Sequence, residues 1–88
     1  MTVWRVVFTR QAQKDARRLA ASNLKPKAEY LLGILKRDPF QTPPPFERLL
    51  GDLSGTFSRR INVQHWLVYQ VLQRDRVVKV ICMWTHYE

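Results

Sequence analysis

The 88-residue sequence predicts an α+β fold: two N-terminal helices packed on one face of a mainly antiparallel sheet, in the order β-α-α-β-β-β. Three observations carry this. The chain opens on a β-branched and aromatic run. Two stretches with apolar residues at helical spacing follow. The last third is a series of apolar or alternating runs separated by short turns, which favours antiparallel neighbours.

Residues 3–8, VWRVVF, have the composition of a strand. Thr9 is placed to cap a helix over Arg10–Ala21, where Ala12, Ala16 and Leu19 share one face and Lys14, Arg17 and Arg18 another. Ser22-Asn23 breaks the run. A second helix starts near Lys25-Pro26, since proline is tolerated in a first turn. Its stripe is Ala28, Leu31, Leu32 and Leu35, and Asp38-Pro39 stops it. Residues 38–45, DPFQTPPP, form a rigid connector that cannot continue a helix. Gly51-Asp52 and Ser54-Gly55 are turn signals. Residues 57–63 alternate Phe57, Arg59, Ile61 and Val63 against Ser58, Arg60 and Asn62. Residues 66–72 make the next strand, Gln73–Arg76 a polar turn, and the nearly all-apolar residues 77–84 a strand at the sheet centre.

One small domain, residues 1–88, is expected from this length. Fifteen Lys+Arg against seven Asp+Glu give a net charge of +8, which suits a polyanionic partner. Cys82 is the only cysteine, so an internal disulfide and a cysteine-rich zinc site are excluded, and a lone Cys in an apolar run reads as a small core residue. No apolar run is long enough to cross a membrane and no signal peptide is evident, so a cytoplasmic location without membrane association is expected.

The glycines Gly33, Gly51 and Gly55 are too dispersed for a phosphate loop, and neither a nucleophile elbow nor metal-ligand spacing occurs. What remains is Glu47, Arg59, Arg60, His65, His86 and Tyr87. Cutting RNA without a metal needs a base for the ribose 2′-OH, an acid for the departing 5′-oxygen, and cations for the charge growing on phosphorus oxygens. Glu, His and Arg supply those roles, and exposed aromatics such as Tyr87 can stack on splayed bases. Any basic chain of this size carries the same residue types. A solvated Glu47, surface arginines and a structural His65 are the plain alternatives. Arg59 and Arg60 lie on opposite faces of a strand, so only one can point into a given site.

The stretch LSGTFSRRINVQHWLVYQV (Leu53 to Val71), the ending MWTHYE and the KRDPF of residues 36–40 resemble the YoeB/Txe toxins of type II toxin–antitoxin modules, within the RelE superfamily. The resemblance implies a RelE-like fold and a ribosome-dependent mRNA endonuclease that works without metal or other cofactor. It also implies a YefM/Phd-type antitoxin, contacts with the ribosomal A site, rRNA and mRNA, and a possible homodimer. On the family pattern the general base falls on Glu47, the general acid on His86 and the base-positioning tyrosine on Tyr87. Arg60 fits a phosphate contact, with Arg59 and Arg48 as further candidates. Two positions depart from the pattern: Trp66 stands where the family has an arginine, and Leu50 where it has a lysine. Losing one such contact costs ~3 kcal/mol, about a hundredfold in rate. Three readings follow. Arg48, Arg59 or Arg60 takes over the clamp, or Trp66 stacks on a base and supports RNA binding, or the protein is an attenuated or non-catalytic homologue that binds ribosome or antitoxin.

Overall fold

The computed structural model describes residues 3–48 and 55–84. Among them the order is β1 (Arg5–Phe8), α1 (Arg10–Ala20), α2 (Lys25–Arg37), β2 (Glu47–Arg48), β3 (Thr56–Arg60), β4 (Trp66–Leu72) and β5 (Val77–Cys82). The strands form one sheet in the order β1-β5-β4-β3-β2. β1 runs parallel to β5, and the other pairings are antiparallel.

Thr9 is the cap the sequence promised, and it also joins helix to sheet. Its hydroxyl accepts from the Ala12 N–H at 3.0 Å and donates to the Ile81 carbonyl of β5 at 2.7 Å. The buried face of α1 holds Ala12, Asp15 and Leu19; that of α2 holds Ala28, Leu31, Ile34 and Leu35. Both pack onto Phe57, Leu67, Tyr69, Val71, Val78 and Val80 of the sheet. β5 is flanked on both sides, which explains its apolar run. Among the described residues no helix is long and apolar enough to cross a membrane.

Two elements differ from the sequence expectation. The strand expected over 57–63 ends at Arg60, and Val63 is 77% exposed. The cause is Asn62, whose side-chain oxygen accepts from the N–H groups of Gln64 and His65 at 2.8 and 2.7 Å and draws the chain out of the ladder. The second difference is β2, an edge strand on β3 described over Glu47–Arg48, which hydrophobic periodicity is too coarse to show.

Candidate functional site

Strand register decides which candidate side chains share a face. Glu47 pairs with Ser58, Ser58 with Val68, and Arg60 with Trp66. Directly opposed residues point the same way, as do residues two apart on a strand. Glu47, Ser58, Arg60, Trp66 and Val68 therefore lie on one face. Arg48, Phe57, Arg59, Leu67 and Tyr69 lie on the other, where Phe57, Leu67 and Tyr69 join the helix-side core. Glu47 and Arg60 are diagonal neighbours across β2 and β3, a relation that sets Cβ atoms roughly 7–8 Å apart. Both are exposed. The Arg60 guanidinium carbon lies 4.7 Å from the centroid of the half-buried Trp66 ring. A carboxylate, a guanidinium and an indole thus share one surface, which can accept a proton, hold a phosphate and present an aromatic plane.

Arg59 does something else. It is 1% exposed, with its guanidinium turned to the connector. Nε donates to the Tyr69 hydroxyl at 3.1 Å, and Nη1 donates to the Pro44 carbonyl. Nη2 donates to the Pro39 and Gln41 carbonyls at 2.9 and 2.8 Å. The ring of Phe46 lies 4.9 Å from its guanidinium carbon. These acceptors are uncharged, so the buried cation is stabilised by oriented carbonyl dipoles and aromatic faces. The expectation of a phosphate contact for Arg59 is corrected on this ground: its donors are committed to the chain's own backbone. Phe40 and Phe46 add a second attachment, since both rings pack edge-on against Phe57, at 5.6 and 5.5 Å. Glu47 is thus held both by its pairing with Ser58 and through the connector that precedes it.

The end of β5 is held by an aspartate. Asp15 is 2% exposed, and its carboxylate accepts from the Met83 N–H and from the Gln11 side-chain amide, both at 2.9 Å. Met83 is buried against the helices, and Trp84 stacks on His65 with centroids 4.2 Å apart. His65 thus packs as a structural ring, and its N–H and carbonyl help close the turn after β3. His86 and Tyr87, like Leu50, lie outside the described residues.

Arg48 is exposed on the edge strand and sits 5.9 Å from the Phe57 ring, on the face away from Arg60. Burial raises the Tyr69 hydroxyl above its ordinary pKa, against the lowering pull of Arg59. Burial, aided by the charge of Asp15, pushes the Cys82 thiol up to about 11, so at neutral pH it is protonated and a poor nucleophile. Among the described residues, no group of three or more His, Cys, Asp or Glu could hold a metal ion. Sequence reading missed Asp15 as an anchor. The available signal was its place between Ala12, Ala16 and Leu19, a carboxylate on an apolar face.

The family described as YoeB-like toxin of bacterial type II toxin-antitoxin system matches residues 8–87. The chain belongs to this family. The toxin YoeB of Synechocystis sp. is 40% identical over 76 residues, covering 86% of this YoeB-like toxin and 79% of that protein. The fold matches the YoeB/ParE toxin from Agrobacterium tumefaciens with a TM-score of 0.85 at 30% identity, over 94% of this chain and 99% of that one. It matches the toxin fold in the YoeB-YefM complex from Staphylococcus aureus with a TM-score of 0.78 at 31% identity, over 96% and 98% of the two chains.

Proposed function

We propose that this toxin is an endoribonuclease that cuts mRNA in the ribosomal A site, and that a YefM/Phd-type antitoxin neutralises it. The observation that carries this reading is the shared exposed face of Glu47 and Arg60, with Trp66 beside them. Glu47 takes the 2′-OH proton, and the 2′-oxygen attacks the adjacent phosphorus. The P–O5′ bond breaks, His86 protonates the leaving 5′-oxygen, and a cyclic 2′,3′-phosphate remains. Arg60 supports the negative charge on the phosphoryl oxygens, and Tyr87 positions the neighbouring base. No metal takes part. The +8 charge suits docking among rRNA phosphates. The antitoxin assignment is supported by the similarity to the toxin of the YoeB-YefM complex.

Trp66 contributes no charge of its own to this face. Arg60, its partner across the strand, brings the guanidinium over the residue where the family pattern has an arginine. That arrangement supports cutting with the clamp supplied from β3. With Leu50 in place of the family's lysine as well, the chain is two cations short of the pattern, which favours a second reading: a toxin that occupies the A site and stalls translation with little cleavage.

The test is cleavage of a translated message on ribosomes, with toeprinting alongside. Glu47→Gln and His86→Ala should each lower cutting by at least ~100-fold, the usual scale of general acid–base catalysis. Equal cutting by the parent and either variant removes that residue from its role. Blocked ribosomes on intact message select the second reading. A large gain in cleavage by Trp66→Arg then shows that the missing cation is what limits the chemistry.

A further inference from the structure

Beside Arg60 the surface opens into a recess of about 410 Å³ at the end of β3. Its walls come from three elements: Lys27 in the first turn of α2, Pro44 and Pro45 of the connector, and Arg60, Asn62 and Val63 at and beyond the end of β3. The arrangement is specific in three respects. First, among the described residues the charged ones lining it are the two cations Lys27 and Arg60, one from a helix and one from the sheet. Second, the apolar surface of the recess comes from Pro44, Pro45 and Val63. Pro44 is fixed by the bond that its carbonyl accepts from the buried Arg59, and Val63 is left 77% exposed by the turn. Third, Asn62 is oriented. Its Oδ1 accepts from two backbone N–H groups, so the Nδ2 amino group is the part left for a ligand.

We infer that this recess is a nucleotide subsite: it takes the RNA residue next to the one whose phosphate Arg60 holds. The inference rests on the endonuclease reading for the position of the scissile phosphate. Lys27 contacts the following phosphate, the base lies on the Pro44–Pro45–Val63 surface, and the Asn62 amino group donates to an acceptor on the base edge. A few hundred Å³ is the size class of a pocket for one small ligand. Two cations around an apolar floor suit a nucleotide, which offers phosphate at its margin and an apolar base face at its centre. Because Arg60 belongs both to this recess and to the face shared with Glu47 and Trp66, one strand of RNA can run from one to the other without a gap. Lys27 was not among the site residues the sequence suggested. It is one lysine among many, and only the fold brings it to Arg60.

The test uses binding as well as cutting. Affinity of the purified toxin for a short fluorescent single-stranded RNA is measured by anisotropy across a salt series, and KM and kcat are measured on translated messages. Lys27→Gln should weaken RNA binding by about 3–10-fold and lower the log–log salt slope by about one phosphate contact, while Lys27→Arg restores both. Asn62→Asp keeps the turn, because a carboxylate oxygen accepts the same two N–H groups. It turns the donor into an anionic acceptor, so it should weaken binding and raise KM with kcat little changed. Affinity and salt slope unchanged in both Lys27→Gln and Asn62→Asp overturn the subsite. So does an acidic peptide that displaces the RNA and binds with higher affinity and the same dependence on Lys27 and Asn62. Binding that depends on Lys27 and Asn62 in a toxin that cuts no message overturns the endonuclease reading and leaves the subsite standing.

Discussion

At the β2 margin of the sheet a buried cation gathers carbonyl oxygens; at the exit of β5 a buried anion gathers N–H groups. Arg59 reaches Pro39, Gln41 and Pro44, residues of a connector that has no ladder of its own. Asp15 takes the Met83 N–H just after a strand already clamped between two neighbours. The arginine therefore stands in for missing secondary structure, whereas the aspartate extends secondary structure that exists. The β2 margin also carries Glu47, one residue of the proposed site.

If that contrast is right, Arg59→Met should be the more damaging change. It leaves the Gln41 and Pro44 carbonyls without their Arg59 donor and takes one bond each from the Tyr69 hydroxyl and the Pro39 carbonyl, and is expected to cost about 3–5 kcal/mol of stability in urea unfolding. Asp15→Ala leaves the Met83 N–H without its acceptor but keeps the strand's neighbours, and should cost about 2–3 kcal/mol. A larger loss for Asp15→Ala than for Arg59→Met would break the comparison. Tyr69→Phe removes one bond from each side of the hydroxyl while leaving the Arg59–carbonyl bonds, and should cost about 1–2 kcal/mol.

Cys82 sharpens the same contrast from the Asp15 side. Its thiol is held protonated in the fold, with its pKa raised from 9.0 to about 11. Folding thus opposes ionisation: this contribution is fully present below pH 9 and is lost as pH rises through about 11. Tyr69 acts in the same direction, so alkaline unfolding is expected, and Cys82→Ala should flatten the Cys82 share of that pH dependence. Alkylation by iodoacetamide at neutral pH should run roughly tenfold slower than for a free thiol, as a smaller thiolate fraction outweighs its higher nucleophilicity. Rapid alkylation would show that the β5 exit is open to water.

The order of the long elements was readable from the sequence because apolar periodicity records burial directly: α1, α2, β4 and β5 begin and end within a few residues of expectation. Glu47, Arg60 and Trp66 could be nominated, but their common face depends on strand register, which no local pattern contains. Arg59 was misread for a related reason. Alternation puts it on the same face as Phe57 and Ile61, but the distant carbonyls of residues 39–44 that occupy its donors there leave no local signal. Asn62 ended a strand through bonds to its own next residues, a local effect that hydrophobic alternation hides under the apparent continuity of Ile61 and Val63.

The residues on and before β2 bear on self-association. A sheet's outer strand normally presents a row of free N–H and C=O groups on which another chain can pair. Among the described residues the outermost strand on the Glu47 side holds Glu47 and Arg48, both charged, and three consecutive prolines without N–H groups stand just before it. An incoming strand meets two charges there and, just before them, a run without donors. The toxin can keep its proposed catalytic carboxylate at an open rim, accessible to a large ribonucleoprotein partner, without that rim serving as a template for self-association.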